Sequence, residues 1–374
     1  MRRPMFVFAA AVAVVAAVTM APATPSAVAA RSSTYQHGPV FTPPVIAAPL
    51  PLFSDIVFAD AAAHRVYLSN LTNAEVDAWD ARSGVFLGAI SGTFTGLRGA
   101  PATFDHLGPD GVLADDLGQV WAGNGDGSLV VGSARTLTET DSVATGGVNR
   151  ADELAFDPRD RVLMVTDPAE TTPFVTLVDA RPGHHRVLAN IAIPGAGPNS
   201  IEQPQFDPTS GRFLVSVRET AANPNGEIAV VDPVRRRLTT AFPIAQPCHP
   251  AGLAIGPRRD VLAGCDAAPP VILDRTTGAV EATIPNACCA DEVWFNGADR
   301  RYYAAEAGNP GNPVVMVIDA QARQFVVNLP VRDGHGGMDP AFHAVAAAFA
   351  DSHVYVPQAD GVHVLVRSDD EPDR

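Results

Sequence analysis

Short apolar runs that end in Asp, or in a residue standing in its place just before a polar turn, recur along the chain. They are AEVDAWD (74–80), SLVVG (128–132), FVTLVD (174–179), EIAVVD (227–232), PVILD (270–274), PVVMVID (313–319) and VHVLVR (362–367). Their last residues are separated by 52, 47, 53, 42, 45 and 48 positions. Such a period marks a repeat architecture, in which one supersecondary unit buries its faces only by stacking on its neighbours. Hairpins precede the later runs: LAFDPRDRVLMV (154–165), PQFDPTSGRFLVSV (204–217), LAIGPRRDVLAG (253–264), VWFNGADRRYYAA (293–305) and AAFADSHVYV (347–356). In each, an apolar strand meets a turn and a second strand follows. The Pro of FDP presets φ for that turn and lacks the N–H that a central strand would need. A fourth strand closes the unit, as in RVLANIAI (186–193) and RLTTAFPI (237–244).

Four short antiparallel strands per unit, seven units and little helical periodicity predict an all-β fold, a seven-bladed β-propeller. Helical and parallel-β solenoids suit the four-strand unit poorly. The last unit shows three strands and then the acidic tail 368–374, so its outer strand is expected from the N-terminal segment 38–50, GPVFTPPVIAAPL. The chain accordingly divides into a leader at 1–29, one propeller domain at 30–367 and the tail.

The leader carries Arg2 and Arg3, an apolar stretch over 5–20, and a small-residue A-x-A site ending at Ala29. That is the layout of a secretory signal peptide, and the apolar stretch is short for a membrane span. The reading is a secreted protein, exported by the general secretory route, that does not remain in the membrane once the leader is cleaved. A net charge of −15 argues against nucleic acid as a partner, because phosphate rewards clustered cations. All 26 cationic side chains are Arg, so a lysine nucleophile or Schiff base is excluded. No GxSxG elbow and no GxxxxGK[ST] phosphate loop occurs. Trp79, Trp121 and Trp294 are too few for the repeated tryptophan docking of quinoprotein propellers.

The first unit, HRVYLSNLTNAEVDAWDARSGVFLGAI (64–90), closely resembles the YVTN repeat of secreted bacterial propellers, and HVYVPQADGVHVLV (353–366) echoes it. The resemblance implies a seven-bladed, often exported propeller. Such propellers include lactonase-like enzymes and many binding proteins, and function belongs to the site grafted on the fold.

In a propeller the first strand of each blade lines the central channel, and the residues just before it ring one mouth. Aligning the hairpins places there Asp55 (blade 1), Asp110 (blade 2), Asp152 with Glu153 (blade 3) and Glu202 with Gln203 (blade 4). Blade 5 contributes His249, blade 6 Asp291 with Glu292, and blade 7 His335, Asp339 or His343. Converging carboxylates repel one another unless protons or a metal compensate. The candidate ligands of a divalent metal are Asp152, Glu202, His249, Asp291, His335, Asp339 and His343. An all-oxygen set suits calcium or magnesium, and the imidazoles admit manganese, iron or zinc. A metal would polarise an ester carbonyl, with Asp152 or Asp291 as general base. The alternative is that these polar residues solvate a water-filled channel.

The Gly-rich segment DGHGGMDPAFHA (333–344) reads either as a metal clip or as a long connection between blades. His184 and His185, in the turn after the third strand of blade 3, read as solvated. For the four cysteines, export makes disulfides plausible. The hairpin around 256–259 brings Cys248 and Cys265 together, leaving Cys288 and Cys289 as a vicinal bridge or two thiols; crosslinks between blades 5 and 6 are the other pairings. Two functions are carried forward for a monomeric chain. One is binding or scaffolding of a small-molecule or protein ligand on the top face, where loops 94–110, 194–203 and 306–313 gather; the other is metal-assisted hydrolysis of lactones or esters.

Overall fold

The computed structural model describes residues 33–44, 51–97, 104–266, 268–306, 313–331, 343–347 and 353–369. The leader, with its cleavage site, lies outside them. The described strands form seven four-stranded antiparallel sheets, and the only helix among the described residues is one 3₁₀ turn at Phe104–His106. This is a seven-bladed propeller, with the inner strands of successive blades meeting around a central channel. Six blades are built in chain order. The seventh combines Ala346–Ala347, His353–Gln358 and Gly361–Asp369 with the N-terminal strand Ser33–Phe41.

The N-terminal strand closes the ring, but over a different range from the 38–50 expected. Its ladder runs from Ser33 opposite Asp369 to Phe41 opposite Val362. Pairing stops before Pro43 and Pro44 because neither proline has an N–H to donate. The last strand also extends to Asp369, two residues into the segment read as tail.

The repeated Asp of the sequence is a turn former. Asp274 Oδ1 accepts the N–H groups of Thr276 and Thr277 at 2.8 and 3.1 Å, and Asp319 Oδ1 those of Gln321 and Ala322 at 2.9 and 2.7 Å. Asp80 does the same for Arg82 and Ser83, and Asp157 and Asp207 cap the two FDP turns. Each is an Asx-type turn whose carboxylate replaces a backbone acceptor. Hydrogen bonds, from the Thr276 hydroxyl first, hold the Asp274 carboxyl at about 2.

Middle strands are apolar on both faces because each blade is packed between two others. In blade 3, Val162 and Met164 face the seam with blade 4, while Leu163 and Val165 face the seam with blade 2. The two-residue period of a strand thus feeds two cores at once. Each of the seven seams holds its own cluster of buried apolar side chains, so the core is a ring of seven parts.

The closing seam is aromatic. Phe41, 2 % exposed, lies 6.4 Å from the Trp79 ring of blade 1 and 6.0 Å from the Tyr355 ring of blade 7. Cys248 is bonded to Cys265 across the first hairpin of blade 5, with Cα atoms 4.6 Å apart, and Cys288 to Cys289. The bridges suit an oxidising compartment. No helix among the described residues is long and apolar enough to cross a membrane.

His185 departs from the sequence reading. Its side chain is 4 % exposed, edge-on to Trp121 at 4.9 Å, with Nε2 2.8 Å from Gln119 Oε1 and Nδ1 2.7 Å from Asp141. A turn at the end of one blade is the flank of the next, so only His184 of the pair is solvated.

Phe41→Ala is expected to lower stability by about 3–5 kcal/mol, as for other buried aromatic truncations. Urea unfolding of both proteins checks this; a loss under 1 kcal/mol would show that the aromatic contact does not hold the ring closed.

Candidate functional site at the channel mouth

Six inner strands begin with the same irregularity. Two residues stand opposite one on the second strand: Asp55–Ile56 opposite Ser69, Glu202–Gln203 opposite Ser216, Ala251–Gly252 opposite Gly264 and Asp291–Glu292 opposite Ala305. Blades 2 and 3 show it just ahead of their strands. Asp110 N–H donates to Gly123 O and Gly123 N–H to Gly111 O; Asp152 and Glu153 relate in the same way to Thr166. Such a bulge bends its strand and re-aims the side chains it carries. Hydroxyl groups secure three of the bulges. Ser69 Oγ accepts from the Asp55 and Ile56 N–H groups at 3.1 and 2.8 Å, and Ser216 and Thr166 donate to the Gln203 and Glu153 carbonyls.

The first residue of each bulge is Asp, Asp, Asp, Glu, Ala and Asp around blades 1 to 6. Blade 5 therefore offers Ala251, and His249, assigned to the mouth from sequence, stands two residues earlier and outside the mouth cavity. Two bulges need glycine because the next blade approaches closely. A Cβ on Gly111 would lie 2.2 Å from Asp152 O, and one on Gly252 2.1 Å from Asp291 O.

The bulges surround a cavity of about 170 Å³ lined by Asp55, Asp152, Glu153, Glu202, Asp291 and Glu292, with Arg150, Arg218, His343 and Phe104. Asp110 is fully buried beside it, linked to Arg150 at 3.9 Å. His343 of blade 7 brings Nδ1 to 3.2 Å from Asp291 Oδ2. His335 and Asp339 lie outside the described residues. Gln203 serves a structural role: its Oε1 accepts the backbone N–H of Leu253 at 2.6 Å and of Val293 at 3.4 Å, tying blade 4 to blades 5 and 6.

Two arginines that the sequence reading passed over organise the charge. Arg150, 5 % exposed, pairs with Asp152 at 3.1 Å, and its guanidinium carbon stands 4.2 Å from the Phe104 ring centroid. Burial disfavours its charge, but Asp152, Asp110 and Asp55 more than offset that and hold it protonated. Arg218 pairs with Glu202 at 2.8 Å and Asp291 at 3.8 Å, and makes a short contact with Asp266, linking blades 4, 5 and 6. Arg218 and Asp266 each follow the last ladder residue of a second strand, so corresponding positions of adjacent blades carry opposite charges. The sequence signals were the position of Arg150 just before Asp152 and of Arg218 at the end of RFLVSVR.

Compensation is incomplete: six carboxyl groups line the cavity against two guanidinium groups. Burial first, then the neighbouring Asp152, pushes Asp55 up to about 7; burial, against the pull of Arg218, pushes Glu202 up to about 8. Glu153 and Glu292 meet across the channel from blades 3 and 6, both buried and both well above the usual carboxylate range. Burial is the main cause for each, and the Glu292 charge raises Glu153 further. Glu292 Oε2 is nevertheless buried with no hydrogen-bond partner among the described residues. Chemically the mouth holds carboxyl groups that retain protons, and buried acceptors without a hydrogen-bond partner among the described residues on Glu292 and on the adjoining Asp110. Among the described residues no group of three or more His, Cys, Asp or Glu side chains is arranged to hold a metal ion.

No family model matches this chain, and no curated protein matches it.

The raised carboxyls fix the sign of the pH dependence. The folded protein binds protons that the unfolded chain releases near pH 4, so their contribution is complete below that value and is lost as pH rises through 7 to 8. Thermal unfolding is expected at a lower temperature at pH 8.5 than at pH 5.5, and Glu202→Gln should flatten the decline; a rise in stability over that interval would contradict the assignment. Arg150→Met is expected to cost about 3–5 kcal/mol near pH 7, because it strands buried carboxylates, and less near pH 5. Equal losses at the two pH values, by urea denaturation, would contradict that coupling.

Proposed function

We propose that the chain is an exported propeller of YVTN-like type that acts as a binding protein, seating a cationic group of its ligand in the channel mouth. The observation that carries this reading is the buried, unpartnered Glu292 Oε2 in a cavity whose six carboxyl groups face only two guanidinium groups. A cation entering there favours the ionised form of carboxyl groups that burial otherwise keeps protonated, in a site where water screens poorly. The rigid ring supports this role, since the bulges are pinned by hydroxyl and amide contacts. Export is supported by the leader-like N-terminus and the two disulfides.

The pairing of His343 with Asp291 favours a second reading. An imidazole beside carboxylates belongs to the donor chemistry of a divalent ion, and His335 and Asp339 would complete such a set, making the protein a lactone or ester hydrolase.

A thermal-shift series on the mature protein with spermidine, calcium chloride and manganese chloride separates the two. Occupancy at a hundred times Kd stabilises the fold by about 2.7 kcal/mol. The binding reading expects a shift with spermidine that Asp152→Asn cancels. The hydrolase reading expects a shift with manganese or calcium, together with metal-dependent hydrolysis of δ-valerolactone lost in Asp291→Asn. No shift with any of the three would overturn both.

A further inference from the structure

Behind the mouth, the channel changes character. A cavity of about 450 Å³ runs from Glu153 and Gln203, at the heads of the inner strands, to Pro158 and Pro208, in the exposed turns at their other ends. Between these limits the walls are apolar except for Gln205, and several are aromatic: Phe58, Phe156, Phe206, Trp294 and Phe295 all line it. These rings are only half-buried, although the apolar side chains of the neighbouring seams are almost fully enclosed. Phe58 and Trp294 meet edge to face at 5.5 Å from blades 1 and 6, narrowing the channel. Large apolar side chains left partly uncovered around an open-ended cavity of this volume have the character of a small-molecule site.

The neck between the cavities sets the polarity of what such a site accepts. Glu153 lines both, and its partner Glu292 lines the mouth. Asp55, Asp152, Glu202 and Asp291 add further carboxyl groups on the mouth side, with Arg150 and Arg218 set against them in the cavity lining. The apolar walls offer no cation of their own. An anionic head entering from the turn side would drive the neck carboxyl groups further toward their protonated form, whereas an ammonium favours release of the Glu153 proton and is then held by the carboxylate. Field lines concentrate in a channel with low-dielectric walls, which sharpens this discrimination.

We infer that the channel is a second ligand site, entered from the turn face, for a slender amphiphilic amine: its apolar body lies among Phe58, Phe156, Phe206, Trp294 and Phe295, and its ammonium meets Glu153. The site opens on the turn face, away from the mouth, and shares Glu153 with it. Alkyl or aryl tails bury apolar surface against the rings, and the head pairs with the carboxylate that its own charge favours at Glu153.

The experiment is fluorescence titration of the mature protein with N-phenyl-1-naphthylamine near pH 7, followed by displacement with octylamine and with octanoate. One saturable site per chain is expected. Octylamine should displace the probe at a concentration about tenfold or more below that of octanoate, a ratio that electrostatic complementarity at one buried contact supplies. Ala114→Phe, which fills the channel from blade 2, should abolish probe uptake, with folding verified by circular dichroism. Glu153→Gln should bring octylamine and octanoate to within about threefold of one another. The inference is overturned if the wild-type protein shows no saturable uptake, if folded Ala114→Phe retains it, or if octanoate displaces the probe as well as octylamine. The wild-type displacement ratio decides the matter even if a variant fails to fold.

Discussion

Seven four-stranded sheets can each bury both faces only if the first and last of them meet. That closure is made by the strand Ser33–Phe41, which joins chain segments more than 300 residues apart and seals the aromatic seam of Phe41, Trp79 and Tyr355. Every other seam depends on it, because a gap would expose two apolar blade faces at once. The conformational entropy of fixing so distant a contact is offset by its ladder and by the burial it completes. Closure also sets the radius at which the inner strands converge, and hence the width of the channel and the distance between the groups at its mouth.

Convergence makes a problem that the inner strands resolve locally. A regular strand would alternate its side chains between the channel and a seam, but the two-against-one bulge at its head places consecutive residues at the mouth. Ser69, Thr166 and Ser216 secure the bulge with hydroxyl contacts, and Gly111 and Gly252 let the neighbouring backbone approach. The same device in six blades converts a one-dimensional repeat into a ring of carboxyl groups. Arg150 and Arg218 then make that ring tolerable, each bridging carboxylates of different blades. What they leave uncompensated is the chemical content of the site: retained protons on Glu153 and Glu202, and an acceptor on Glu292 without a partner.

The channel has two chemistries in series. The mouth is charged, while the length behind it is lined by half-buried aromatic and aliphatic side chains, with the Glu153–Glu292 pair between. The change of polarity over the few residues of an inner strand is what suits the channel to the amphiphilic amine proposed for it.

The sequence by itself determined the blade. The Asp-ended runs, the FDP turns and the apolar middle strands are local signals, since an Asx turn, a proline φ and a two-residue period act over a few residues. Counting them was enough to specify seven blades, and the hairpin geometry was enough to bring Cys248 to Cys265. Most of the acidic mouth was legible too, because Asp55, Asp110, Asp152, Glu202 and Asp291 occupy one position of the repeat. Only the tertiary structure decided which charges oppose one another. Arg150 and Arg218 belong to no repeat position that reads as functional, and their partners come from other blades. His249 carried the right chemistry at the wrong register, because the bulge, not the ionisable residue, defines the position. Glu153 and Glu292 lie 139 positions apart in the chain, and each raises the cost of charging the buried mouth. Such a contact arises from the closure of the ring, which no short-range pattern in the sequence encodes.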